Sequence, residues 1–253
     1  MSADTDQPMT AARCAYDVEY KRQIELFRFI NDLATIAEQN ATGTPTATRN
    51  LIPVGGQAPP FDRTGRPGTG ALNEFRSHAN AIFQIWLARA VDNYMVYLSE
   101  LLAEILDQRP EVLRTSEKVP IDDVLSYPSK EAFIKALAEK RVNNWINDGV
   151  KKLSEKFQKL MSFQLFPSPE QLSKVVEAVA IRNTIAHNRG IVDKAFLARV
   201  PKGEWVLGQS VPLTEMQVFN AMKTLKESVA DIDGRAIAKF GLKAAAAVTI
   251  QHP

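Results

Sequence analysis

Between residues 218 and 236 the chain places Val218, Met222, Leu225, Val229, Ile232 and Ala236 at alternating steps of four and three. At about 100° per residue these positions form one stripe along a helix, whereas a strand, which repeats every two residues, would scatter them over both faces. Thr214 with Gln217 makes a capping box at the start of this helix. Asp233-Gly234 suggests a kink, and Gly241 an end. A helix with so regular a stripe has to bury it against other helices.

Partners for it are legible elsewhere. From about Thr10 to Gln39, Leu26, Phe29, Leu33 and Ile36 are spaced three, four and three, with Ile30 and Ala37 widening the stripe. After Gly70 a second helix runs to about Gln108, closed by Pro110; its stripe drifts from Phe75, Ala79, Ile82 and Trp86 to Tyr94, Leu98, Leu101 and Ile105, as expected of a helix with several neighbours. Residues 109–128, with Pro110, Pro120 and Pro128, form a connector. Ser129 then caps a helix through Phe133 and Leu137 towards Trp145, and Asp148-Gly149 breaks it. Val150, Leu153, Phe157 and Leu160 resume the pattern, with Lys151, Lys152, Lys156 and Lys159 on a solvated basic face. Trp205-Val206-Leu207 and Val211 around Gly208 suggest a small hairpin-like insertion. Four or more long amphipathic helices without a convincing strand run predict an all-α, up-and-down helical bundle, taken as one domain over 1–253.

Residues 41–70 hold six glycines and five prolines, a density that no regular element tolerates, so this segment is expected to be a flexible loop. Its glycines are not followed by Gly-Lys-Ser/Thr, so it is no phosphate-binding loop. Residues 244–253 are expected to be a frayed tail. The formal net charge of +2 demands no nucleic-acid partner, and any basic footprint must be local. Cys14 is the single cysteine, so no intrachain disulfide can form. With three scattered histidines there is no metal-ligand spacing; His78 and His252 are expected to be idle, and Asp122-Asp123 and Asp231/Asp233 solvated, so no cofactor or metal is expected. Nothing has the layout of a signal peptide or a membrane span, which leads us to expect a cytoplasmic protein without a membrane partner.

The segment that conflicts with this packing logic is 181–190, Ile-Arg-Asn-Thr-Ile-Ala-His-Asn-Arg-Gly. It ends a helix that opens with Ser168 as N-cap, Pro169 at the first helical position and Gln171 completing a capping box, and that stops at Gly190. Leu172, Val175, Val176 and Val179 form a stripe that continues through Asn183 and His187, with Arg182 on its flank. A stripe that turns polar in its last two turns needs partners, because each unsatisfied buried group costs roughly 1–3 kcal/mol. Such a local conflict is where function is expected.

Arg182-Asn183 followed after three residues by His187 resembles the motif of the HEPN superfamily, an Arg and a His four to six residues apart with a polar residue after the Arg. Asn188 and Gly190 before Ile191-Val192-Asp193 are similar to the helix exit of several bacterial members, and the likeness extends loosely over 71–240. The resemblance implies a HEPN-like bundle that dimerises so that two Arg–His pairs share one cleft, acting as a metal-independent endoribonuclease. It also implies a setting in a toxin–antitoxin or antiviral defence system, with an antitoxin or regulatory protein as a further partner.

The residues suit that chemistry. RNA supplies its own nucleophile, the 2′-hydroxyl, and needs a base for its proton and an acid for the leaving 5′-oxygen; histidine can do both near neutral pH. His187 falls in the last helical turn, where the dipole favours the imidazolium. Arg182 can clamp a phosphate and stabilise charge on the phosphorane, and Asn183, four residues before His187, can orient the ring or the phosphate. Asn188 and Arg189 are the candidate RNA contacts. One motif supplies one histidine, so a two-fold axis would supply the second, and Ala178, Ile181 and Ile185 are expected to form the side that meets the partner. The competing reading makes Asn183 and His187 satisfied core polar residues, with Arg182 paired to Glu177 or Asp193, in a catalytically inactive HEPN-fold module that binds a protein, nucleotide or RNA.

Overall fold

The computed structural model describes residues 8–41, 71–113, 120–200 and 205–245. Its elements are α1 (Ala11–Ala41), α2 (Ala71–Gln108), a 3₁₀ turn (Pro110–Leu113), α3 (Ile121–Leu125), α4 (Lys130–Asn147), α5 (Val150–Met161), α6 (Pro169–Asn188), α7 (Lys194–Arg199) and α8 (Glu215–Phe240). Among the described residues there is no strand, so the fold is an all-α bundle; Ile191 and Ser210 make one isolated antiparallel bridge. No described helix is long and apolar enough to cross a membrane. The loop expected over 41–70 and the tail beyond Ala245 lie outside the described residues apart from Ala41, as does His252.

The caps sit where the local chemistry puts them. Ser129, Ser168 and Thr214 each accept a hydrogen bond from the backbone N–H three residues on, and Thr214 with Gln217 closes both halves of a capping box. At Ser168 only the Ser half is made. Gly149, at φ +86°, separates α4 from α5, and Gly241, at φ +67°, ends α8. α8 is helical throughout Asp233-Gly234, and the Asp233 side chain bonds Thr10 rather than its own helix. Two short helices escaped the sequence reading: α3 within the expected connector, and α7, capped by the Asp193 carboxylate on the Phe196 N–H. One turn of helix shows too little periodicity to be recognised.

α2 is the central rod. Glu19 meets Arg89 and Ala12 meets Glu104, so α1 runs antiparallel to it. Arg182 meets Asp92, and Gly190 abuts Gln84, so α6 is antiparallel too. Tyr94 and Tyr97, fully buried, hydrogen-bond Ser228 and the Val229 carbonyl, while Phe83 and Trp86 share an apolar cleft with Val218; α2 and α8 are thus parallel. These directions are those of an up-and-down arrangement of α1, α2, α6 and α8, with α4 against α2 and α5 against α6. Every member of the α8 stripe named above is buried.

Two stripes face otherwise than expected. On α1, Leu26, Phe29, Leu33 and Ile36 are exposed; the packed face is Ala12, Tyr16, Tyr20, Ile24, Phe27 and Ile30. Periodicity locates an apolar stripe, and α1 carries two, of which α2 takes the one with the aromatic anchors. On α5, Leu160 is exposed and Met161 continues the buried stripe after Phe157. Of its lysines, Lys156 is ion-paired with Asp148 and lies over the Trp145 ring.

Candidate active site at the end of α6

Along α6 the residues that enter the core are Val175, Ala178, Ala180, Ile181 and Thr184. This corrects the sequence reading: Ala178 and Ile181, expected to face a partner, are buried within the protomer, and Ile185 is partly buried against the same core. Of the expected core stripe, Val175 is fully buried, Leu172, Val176, Val179 and Asn183 are half-buried, and His187 at its end is exposed. The two stripes are centred roughly 150° apart around one helix, and the choice between them depended on where α2 and α8 stand.

That rotation decides the setting of the polar residues. Arg182 is half-buried and donates from Nε to Asp92 Oδ1 at 2.7 Å and from Nη1 to Asn183 Oδ1 at 3.2 Å. Its carboxylate partner is neither Glu177 nor Asp193 but Asp92 on α2, ninety residues away. Bonds at two of its nitrogens fix the guanidinium plane, and Nη2 has no partner among the described residues. His187, in the last turn of α6, makes no side-chain hydrogen bond among the described residues and is open to solvent. Asn183 and His187, four apart, share a helix face, and Arg182 leans onto Asn183.

The turn beyond is held tightly. Arg189 adopts φ +54° and Gly190 φ +73°, and the Gly190 N–H reaches back six residues to the Thr184 carbonyl at 3.0 Å. Gly190 is needed twice over: its backbone is left-handed, and a Cβ would lie 3.0 Å from Gln84 Nε2, which donates to the Val211 carbonyl at 2.9 Å. Val211 N–H donates to the Gly190 carbonyl, and Val192 exchanges bonds with Gly208 and Gln209, so the 205–211 segment, turned on itself by the Gln209 N–H to Val206 carbonyl bond, pairs with the exit of α6. Asn188 spends its amide on the Ile191 carbonyl at 2.6 Å, a turn-closing role, while Arg189 is exposed at the rim.

The sequence reading missed Asp92 and Gln84. A signal existed, since Asp92 is a lone carboxylate amid Ala90, Val91, Tyr94 and Leu98, all buried. Beside it on the same face of α2 stand Ile85 and Val96, seven residues before and four after, 69% and 52% exposed. His78 is exposed on α2. Among the described residues no group of three or more His, Cys, Asp or Glu side chains converges on a point. No family model, curated protein or solved structure matches this chain.

Proposed function

We propose that the protein is a metal-independent endoribonuclease of the HEPN type, cutting RNA by attack of its 2′-hydroxyl on the adjacent phosphorus at a cleft shared by two protomers. The observation that carries this reading is the pairing of an anchored Arg182 and an exposed His187 on consecutive turns of α6, with Arg182 Nη2 and the His187 ring unpartnered among the described residues. A guanidinium held by Asp92 and Asn183 is pre-oriented for a phosphate oxygen, so little side-chain entropy is lost when it binds. A solvent-open imidazole is free to take the 2′-hydroxyl proton or to protonate the 5′-oxygen. Asn183 steadies the arginine, and Arg189 at the rim meets the flanking phosphate. RNA and a second copy of the chain are the partners, in the cytoplasm, with a defence or toxin–antitoxin setting as the biological context.

The surface available for the second copy is the α2 face rather than the buried side of α6. Ile85 lies next to Gln84, level with Gly190, and Val96 lies one turn beyond Asp92, so exposed apolar side chains flank the motif along its length. Pairing that face across a two-fold axis would cover them and bring both histidines to one cleft.

The test is to incubate purified protein with mixed single-stranded RNAs in EDTA. Fragments ending in 2′,3′-cyclic phosphate are expected, with His187→Ala and Arg182→Ala each losing cutting while keeping the wild-type melting curve. A mixture of the two variants should regain part of the activity, since a heterodimer joins one intact Arg182 to one intact His187 from opposite chains. RNA left intact at high protein concentration would leave the inactive binding module in its place.

A further inference from the structure

α4 has two working faces. Ile134, Ala138, Val142 and Trp145 pack into the core. Phe133, Leu137, Lys140, Asn144 and Asn147, stepping by four and three, line a second face that changes along its length from apolar to cationic and amide. Two depressions lie end to end on that face, one of about 390 Å³ against α3 and one of about 460 Å³ at the junction with α5, and Arg141 and Asn144 line both. From Phe133 to Asn147 the groove follows the helix for about 21 Å at ~1.5 Å per residue. At its apolar end the Tyr127 ring, 39% exposed, is held at 67° to the Phe133 ring, centroids 5.6 Å apart. Further along, Lys140 is exposed and makes no ion pair among the described residues. At the far end Lys156 lies over the Trp145 ring and pairs with Asp148, which neutralises that carboxylate. Residues 130–159 carry eight Lys and Arg against four Asp and Glu, whereas the rest of the chain is net acidic, so the basic footprint of the protein is concentrated on this arm.

An exposed aromatic ring beside an apolar wall, followed along one helix face by cations and amides, matches a strand that carries flat bases on a phosphate backbone. We propose that this groove binds a single-stranded segment of RNA, one base stacking on Tyr127 and the following phosphates running past Lys140 and Arg141 towards Lys156. That the ligand is RNA rests on the ribonuclease reading, to which the groove adds a holding site on elements other than α6. Asp123, on the α3 wall, disfavours a phosphate at the Tyr127 end and so sets the base there. A mononucleotide would fill only one of the two depressions, whereas the groove spans several of the ~3.4 Å steps between stacked bases. A duplex has its bases stacked on one another and offers no free face to the tyrosine. Asn144 and Asn147 each bring a donor and an acceptor, which suit ribose hydroxyls and are wasted on the carboxylates of an acidic peptide. Contacts to phosphate and to the face of a base carry no sequence, so binding is sequence-tolerant.

The test is fluorescence anisotropy with labelled octaadenylate RNA on the His187→Ala protein, so that binding is read without cutting. Lys140→Glu should weaken binding about tenfold or more at low salt, Lys140→Gln by a smaller factor, and Tyr127→Ala about fivefold or more, each with the helical circular dichroism retained. Lys223→Glu, the same charge change at an exposed position on α8, should stay within about twofold. With two or three phosphates neutralised, log Kd should rise with log salt at a slope of roughly 1.4–2.1. Binding of an RNA duplex should be indifferent to Tyr127→Ala. No binding to the parent protein, Lys140→Glu and Tyr127→Ala variants that bind as tightly as the parent, an equal loss in Lys223→Glu, or displacement of the RNA by octaglutamate as readily as by unlabelled octaadenylate would overturn the assignment. Its failure is separable from that of the ribonuclease reading. RNA cut by a protein whose Lys140→Glu variant binds unchanged overturns the groove alone, while RNA held in the groove by a wild-type protein that leaves it intact overturns the cutting alone.

Discussion

Removing the Asp233 carboxylate should unlatch the N-terminus of α1. Asp233 is fully buried on α8 and accepts from both the hydroxyl and the backbone N–H of Thr10, itself fully buried, whose hydroxyl in turn caps α1 by accepting from Arg13 N–H. Asp233→Ala strands two buried donors at roughly 1–3 kcal/mol each, so a loss of roughly 2–6 kcal/mol is expected. For a chain of this size, at roughly 2–4 °C per kcal/mol, that corresponds to a fall in Tm of roughly 4–24 °C, read by circular dichroism at 222 nm. Asp233→Asn keeps one acceptor and should lose about half as much. The pH dependence gives a second reading. Burial is the main cause that raises the Asp233 pKa, outweighing the Thr10 bonds and the Arg13 charge, while Asp17 adds to the rise; Glu104, which accepts from Ala12 N–H, is raised by burial too. A carboxyl with a raised folded pKa favours the folded state most while protonated, so its contribution is complete below the unfolded pKa and is lost as pH rises through the folded one. Wild-type stability should therefore decline over that interval, and the Asn variant should flatten the decline. A Tm change under about 2 °C for Asp233→Ala would refute the reasoning, since it would mean that Thr10 finds other partners at no cost.

Two further outcomes follow from the geometry. Gly190→Ala should cost roughly 1–3 kcal/mol in urea unfolding, because a positive φ and displacement of Gln84 add together, whereas Gly208→Ala, at φ +80° with nothing within 4 Å of the new Cβ, should cost only about 1 kcal/mol. Equal losses would show that the contact with Gln84 carries no energy. On the proposed dimer through α2, Ile85→Glu should halve the mass read by light scattering while keeping the helical circular dichroism of the protomer, since the side chain is 69% exposed there; an unchanged dimer mass would move the dimer face away from α2.

What the sequence determined by itself is what neighbours in the chain decide among themselves. Ser129, Ser168 and Thr214 start their helices and Gly149 and Gly241 stop theirs through bonds and dihedrals that span three or four residues, so the helices and the all-α class were legible, as was the single-faced stripe of α8. Tertiary structure alone decided which of two available faces each helix buries. α1 carries two apolar stripes and α6 two overlapping ones, and the period of 3.6 is satisfied by either, so only the positions of α2 and α8 separate Phe27 from Phe29 or Ala178 from Val179. The partners of charged groups were hidden for the same reason. Arg182 to Asp92 spans 90 residues and Thr10 to Asp233 spans 223, and no local pattern reports a contact made by the return of a distant helix.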